Sequence, residues 1–291
     1  MSRNLLNLSK KIDSLTIRLF EDITNIAGSM GIPFFVVGAT ARDIILTYGY
    51  GVNIVRATSD IDFGVQVSDF DQYEKLKKEL ISSGLFELTN EIQRLKYKSS
   101  LLIDIVPFGA IMNRDGSVYW PPDHEVKMNA LGFIESYENA VNVRLRESPV
   151  LEIPFATLAG LAIMKIISWN DNYPERKKDA LDLSVIMRYY LDAGNEDRLF
   201  ESEVDIIESL QEAGGVDYLK AGARMLGRDM EKIAEPESKK KIIEIFERET
   251  SEQDRYKLVE DMIDISFESS SDFEELFDLL KQLKLGFLDK S

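Results

Sequence analysis

The constraint that narrows the fold most is a change of periodicity near residue 150. Before it, short β-branched and aromatic runs alternate with helical stretches. After Ile153-Pro154, apolar residues recur only every three or four positions. That pattern predicts an α+β protein: a mixed β-sheet with flanking helices over residues 1–150, then an all-α domain over 151–291. A chain of 291 residues has room for both.

In the first part, Leu5, Leu8, Ile12, Leu15, Leu19, Ile23 and Ile26 have helical spacing. Gly31-Ile32-Pro33 ends that helix, and Phe34 to Val37, closed by Gly38, predicts a buried strand. Ala39 to Tyr48 predicts a helix, Tyr48 to Val52 a loop, and Ser59 to Val67 a second strand. Asp69 to Ser82 predicts a helix capped by Ser68 or Asp69. Arg94 to Lys98 and Leu101 to Val106 predict the arms of a hairpin turning at Ser99-Ser100; Ser117–Trp120 and Val141–Leu145 predict further strands. In the second part the spacing predicts helices over 155–169, 174–192, 200–212, 216–231, 237–250, 254–267 and 272–285.

Charge excludes some functions. Lys and Arg number 35 against 51 Asp and Glu, a net charge of −16. Such a surface repels phosphate backbones and anionic lipid, so a general nucleic-acid coat or membrane-surface protein is disfavoured, while a local basic site is not. The absence of cysteine removes disulfides, thiolate metal sites and thiol nucleophiles. Residues 1–29 lack the apolar core and cleavage site of a signal peptide, and no stretch approaches the roughly 18 apolar residues of a membrane span. The expectation is a soluble, cytoplasmic protein.

Asp60-Ile61-Asp62 is the sharpest chemical feature. Alternate side chains of a strand share a face, so both carboxylates project together. Carboxylates so close repel unless a cation holds them, and Mg²⁺ takes one or two carboxylates plus substrate phosphate oxygens. On spacing alone the pair also reads as acidic residues facing solvent. Val37-Gly38-Ala39-Thr40-Ala41-Arg42-Asp43 adds a strand that runs through glycine into a helix, presenting free N–H groups to an anion, with Thr40 or Arg42 as further donors. Asp104 lies inside the apolar run Leu101 to Val106, where a charge is costly unless satisfied. Either an Arg or Lys partners it, or it joins Asp60 and Asp62 at a metal centre.

Other residues read as structural. His124, the only histidine, follows Trp120-Pro121-Pro122 in a loop and lacks the partners of a Ser-His triad. The Lys75–Lys78 and Lys239–Lys241 runs are solvated helix faces. Arg94, Lys96 and Lys98 alternate on one hairpin face, expected to point to solvent rather than to a polyphosphate. Arg176, Asp179 and Asp182 fall at i, i+3 and i+6, close to one helix face, and by themselves read as an ion-paired surface.

The phosphate loop, the D-x-D strand and the later Asp strand together resemble the DNA polymerase β-type nucleotidyltransferase superfamily. Within it, VGATARD and TSDIDFGV look most like the AbiEii/AbiGii-type toxins and related bacterial nucleotidyltransferases. GATARDIIL is also similar to the GGxVRDxLL signature of tRNA nucleotidyltransferases. Lys165-Ile-Ile-Ser-Trp169 and Arg176-Lys-Lys-Asp179-Ala-Leu-Asp182 resemble the family's Lys helix and its R-x-K-D-x-x-D segment. The resemblance covers residues 30–190, with Gly38-Ala39 where relatives commonly have Gly-Gly or Gly-Ser, and with an added Tyr48–Ala57 loop.

What the resemblance implies is a nucleotidyltransferase-like sheet domain that transfers a nucleoside monophosphate from a nucleoside triphosphate to a hydroxyl, releasing pyrophosphate. Asp60, Asp62 and Asp104 would be catalytic and hold two Mg²⁺ ions, with Asp104 as general base. Gly38, Ala39, Thr40 and Arg42 would bind the phosphates, with Lys165 contacting the triphosphate and Asp182 either orienting that lysine or serving as a further polar ligand. Relatives of the toxin type point to a tRNA end as acceptor and a cognate antitoxin as partner. The acidic surface points instead to a small cationic, aminoglycoside-like acceptor. A non-catalytic nucleotide-binding regulator is the third alternative.

Overall fold

The alternation that marks the acidic strand survives folding as a central strand, β3 (Asp60–Gln66). Ile61 and Phe63 point to one face and are buried, while Asp60 and Asp62 are half-buried on the other. A computed structural model describes residues 5–54, 60–123, 125–212, 215–251, 256–263 and 272–289. Ser59 and His124 lie outside the described residues. The chain divides into two units, Met1–Thr157 and Leu158–Ser291.

The first unit is built on an eight-stranded mixed sheet. Its strands are β1 (Leu5–Asn7), β2 (Phe34–Val37), β3, β4 (Phe86–Leu88), β5 (Arg94–Tyr97), β6 (Leu101–Phe108), β9 (Val141–Glu147) and β10 (Val150–Phe155), in the order β1-β9-β10-β2-β3-β6-β5-β4. A separate ribbon joins β7 (Ser117–Tyr119) to β8 (Lys127–Asn129). β2 pairs antiparallel with β3, β3 pairs parallel with β6, and β6 pairs antiparallel with β5 across the Ser99-Ser100 turn. Beside the sheet lie α1 (Ser14–Ser29), α2 (Gly38–Asp43), α3 (Phe70–Ser82) and α4 (Phe133–Glu138). Phe20 of α1 packs edge-on against Phe63 and Phe155, which fixes the helix over one face. On the opposite face Phe35, Phe108 and Tyr137 pack together, with Phe35 5.4 Å from Phe108 and 5.5 Å from Tyr137. Each such ring contributes about 2 kcal/mol by leaving water.

Three expectations change here. The N-terminal helix begins at Ser14, not before Leu5, because Asp13 caps it by accepting from the N–H groups of Leu15 and Thr16. Upstream, Leu5–Asn7 hydrogen-bonds along β9 as a parallel edge strand. Residues 150–155 form β10, which pairs with β9 and β2, so the sheet extends past the change in periodicity. The helix after β2 is α-helical only to Asp43; a π-helical stretch, Ile44–Gly49, follows.

The second unit is helical: α5 (Leu158–Asp171), α6 (Lys177–Tyr189), α7 (Glu196–Glu201), α8 (Val204–Leu210), α9 (Tyr218–Ile233), α10 (Pro236–Glu249), α11 (Lys257–Met262) and α12 (Asp272–Leu288). α5 is apolar nearly all round, as a helix must be that packs against α6, α9 and α10. The stretch 200–212 is not one helix. Buried Glu203 accepts from Arg228 Nη1 at 2.5 Å, and this inward turn separates α7 from α8. No helix among the described residues is long and apolar enough to cross a membrane.

Candidate active site

Strand register gathers the three carboxylates. Asp60 and Asp62 share a face of β3, and in the parallel β3–β6 pair Asp62 stands directly opposite Asp104. An oxygen of each side chain lies within 4.8 Å of the others, and all three residues are half-buried. Like charges at that spacing cost about 3 kcal/mol per pair at an effective dielectric constant near 20. The cluster therefore calls for a cation. Its donors are hard carboxylate oxygens with no nitrogen or sulfur, a set that suits Mg²⁺ or Mn²⁺ rather than Zn²⁺.

Arg94 supplies part of that positive charge. It sits on β5 directly across from Asp104. Its Nε and Nη2 donate to Asp104 Oδ1 and Oδ2 at 2.7 and 2.8 Å, a bidentate fork. Nη2 also lies 3.4 Å from Asp60 Oδ2, and Nη1 donates to Glu91 at 3.0 Å. These hydrogen bonds, chiefly those to Asp104, push the already high Arg94 pKa further up, so the guanidinium stays charged. Arg94 does not point freely to solvent as its hairpin position suggested; its side chain is 21% exposed. A signal for it existed. A turn centred on Ser99, one residue earlier than the Ser99-Ser100 step, sets Tyr97 opposite Leu101 and so Arg94 opposite Asp104.

Gly38 closes the other side. Its φ is +74°, and a methyl group there would fall 1.8 Å from Asp62 Oδ2. Glycine is thus needed both for the left-handed turn and for room beside the carboxylate. α2 starts at this residue with no side-chain cap, leaving the N–H groups of Gly38, Ala39 and Thr40 without helical acceptors. The Thr40 hydroxyl is committed, donating to the Asp60 carbonyl at 2.6 Å, and so ties the loop to β3. Arg42 is 1% exposed and bound to Asp43, with Nε donating to Oδ1 at 2.7 Å. The guanidinium is thus enclosed beside the loop and paired with its neighbour.

Lys165 and Asp182 lie in the helical unit. Lys165 Nζ, on α5, is bound between Asp179 Oδ1 at 2.7 Å and Asp182 Oδ2 at 2.6 Å, both on α6 and almost fully buried. Arg176 Nε donates to the other oxygen of Asp179 at 2.9 Å. Lys165, Asp179 and Asp182 thus form an enclosed ion network with exposed Arg176 at its edge, where spacing alone allows a surface helix. Burial pulls the Lys165 pKa down, but the two carboxylates outweigh it and leave the pKa above the usual 10.5.

The sequence matches, over residues 26–278, the family model described as nucleotidyl transferase AbiEii toxin, type IV TA system. No curated protein matches the chain. Solved structures with some likeness include the antibiotic-resistance factor ANT(2'')-Ia, 12% identical, with 68% of this chain and 97% of that chain covered and a TM-score of 0.36. The lincosamide antibiotic adenylyltransferase LnuA, bound to lincomycin, is 15% identical, with 60% and 98% covered and a TM-score of 0.36. A CCA-adding enzyme in complex with ATP is 15% identical, with 92% and 67% covered and a TM-score of 0.33.

Proposed function

The chain belongs to the nucleotidyl transferase AbiEii toxin family of type IV toxin–antitoxin systems, and from that premise we infer that it transfers a nucleoside monophosphate from a Mg²⁺-bound triphosphate to a tRNA end. The observation that carries this reading is the convergence of Asp60, Asp62 and Asp104 from two paired strands. Asp60, Asp62 and Asp104 would hold two Mg²⁺ ions. Bound there, the metal would neutralise triphosphate charge and lower the pKa of the acceptor hydroxyl.

The chain's own groups do the rest. The N–H groups of Gly38, Ala39 and Thr40 would donate to the β- and γ-phosphates, since the Thr40 hydroxyl is held by Asp60. Asp104 would take the proton from the acceptor hydroxyl on a carboxylate oxygen. A cognate antitoxin would restrain the activity in a cytoplasmic setting.

The net charge of −16 favours a second acceptor, a small cationic molecule. The two are separated by a transfer reaction with each α-³²P-labelled nucleoside triphosphate, Mg²⁺ and total RNA at rising salt. Label on small RNA that falls steeply with salt supports the tRNA reading. Labelling of an aminoglycoside but not of RNA contradicts it in favour of the small acceptor. Nucleotide binding without any transfer contradicts both and leaves a regulatory module.

A further inference from the structure

Two of the three carboxylates at the site, Asp60 and Asp104, also accept from one fixed guanidinium. We propose that Arg94 is a positioning residue that sets how tightly the site takes up a divalent cation: it holds the cation-free carboxylates together and competes with the incoming ion for Asp60 and Asp104. The inference rests on the reading of this cluster as a divalent-cation site.

Electrostatics gives the direction. A guanidinium and a divalent ion on the same carboxylates repel, and with the Arg94 side chain only 21% exposed, solvent screens this incompletely. Orientation works the other way, because Arg94 fixes the Asp104 rotamer. That effect is the smaller one. β6 is paired on both sides, with β3 and with β5, so the backbone already places Asp104. The contacts are also unequal. Arg94 grips Asp104 and Glu91 at 2.7–3.0 Å but Asp60 at 3.4 Å. Asp60 is therefore the carboxylate it yields first to a cation, and Asp104 the more strongly contested one.

A merely structural Arg94 would stabilise the hairpin equally with and without cation and leave affinity unchanged. The experiment titrates the full chain with Mn²⁺, following free Mn²⁺ by electron paramagnetic resonance, and records the Tm in EDTA and in saturating Mn²⁺. Wild type is compared with Arg94→Gln, Arg94→Lys and Asp62→Asn. We expect Mn²⁺ binding by wild type and its loss in Asp62→Asn. Arg94→Gln should melt lower in EDTA, bind Mn²⁺ about tenfold more tightly, and recover most of its Tm when Mn²⁺ is added. Arg94→Lys, which keeps the charge, should bind as wild type does. Unchanged or weaker binding by Arg94→Gln, with the Tm lowered equally in both conditions, overturns the inference and leaves the metal site standing. A wild type that binds no Mn²⁺, or an Asp62→Asn variant that binds as well as wild type, overturns the metal-site reading and the inference with it. Arg94→Met repeats the titration should the glutamine variant not fold.

Discussion

Gly38 and Asp62 are packed so closely that a single added methyl on the first would overlap the carboxylate of the second, at 1.8 Å from Oδ2 and 2.7 Å from Cγ. The phosphate loop and the acidic strand therefore form one piece of geometry. The glycine that allows an anion to approach the main chain also allows Asp62 to sit against it.

Gly38→Ala should consequently damage activity more than stability. Alanine at φ +74° is strained by about 1–3 kcal/mol, and the overlap is relieved only by turning the Asp62 carboxylate away from Asp60 and Asp104. We expect the Tm to fall by about 3–8 °C while nucleotide transfer drops by about a hundredfold or more. Thermal melting and transfer kinetics on the same preparation check both. Near-wild-type transfer would mean that Asp62 need not sit where it does.

A second close approach lies in the helical unit and has no tie to chemistry. A Cβ on Gly286 of α12 would lie 1.9 Å from the carbonyl oxygen of Arg224, and one on Gly227 of α9 2.2 Å from that of Leu283. These are backbone atoms and cannot turn aside. Alanine gains about 1 kcal/mol of helix propensity, but forcing two helices apart costs about 3 kcal/mol. Gly286→Ala should lower the Tm by about 5 °C in a thermal melt, whereas propensity alone would raise it.

The Lys165 network gives a pH dependence. Replacing Lys165 by Met leaves Asp179 and Asp182 facing each other nearly buried, a loss of about 3 kcal/mol. Because the folded pKa of Lys165 lies above the unfolded 10.5, its contribution is complete below 10.5 and is lost as pH rises through the folded value. The Tm difference between wild type and Lys165→Met should be constant from neutral pH to about pH 10 and narrow above it. A difference that narrows between pH 7 and 9 would mean the lysine is not held as described.

Much of this arrangement was legible in the residues. The D-x-D alternation, the lone Asp104 in an apolar strand and the Ser99-Ser100 hairpin are local patterns, and local patterns determine which face a side chain takes. What escaped was whatever depends on pairing at a distance. Leu5–Asn7 keeps helical spacing with the residues after it, yet β9, about 135 residues later, draws it into the sheet. Val150–Phe155 lies where the periodicity changes, and only its pairing with β9 and β2 makes it a strand. In the sequence Arg94 is one of three alternating cations, whereas register across the turn sets it against Asp104 while Lys98 stays exposed. Glu203 breaks a helical pattern because Arg228, distant in sequence, holds it inside.

The central claim is that Asp60 and Asp62 carry the transfer reaction. Its most direct measurement compares wild type with the Asp60→Asn/Asp62→Asn double variant in the labelled-nucleotide assay, with far-ultraviolet circular dichroism and melting run alongside. The double variant should keep its secondary structure and melt at or above the wild-type Tm, since two mutually repelling charges are gone. It should transfer no label to RNA or to any small acceptor that wild type modifies. A folded double variant that labels its acceptor at the wild-type rate would contradict the account.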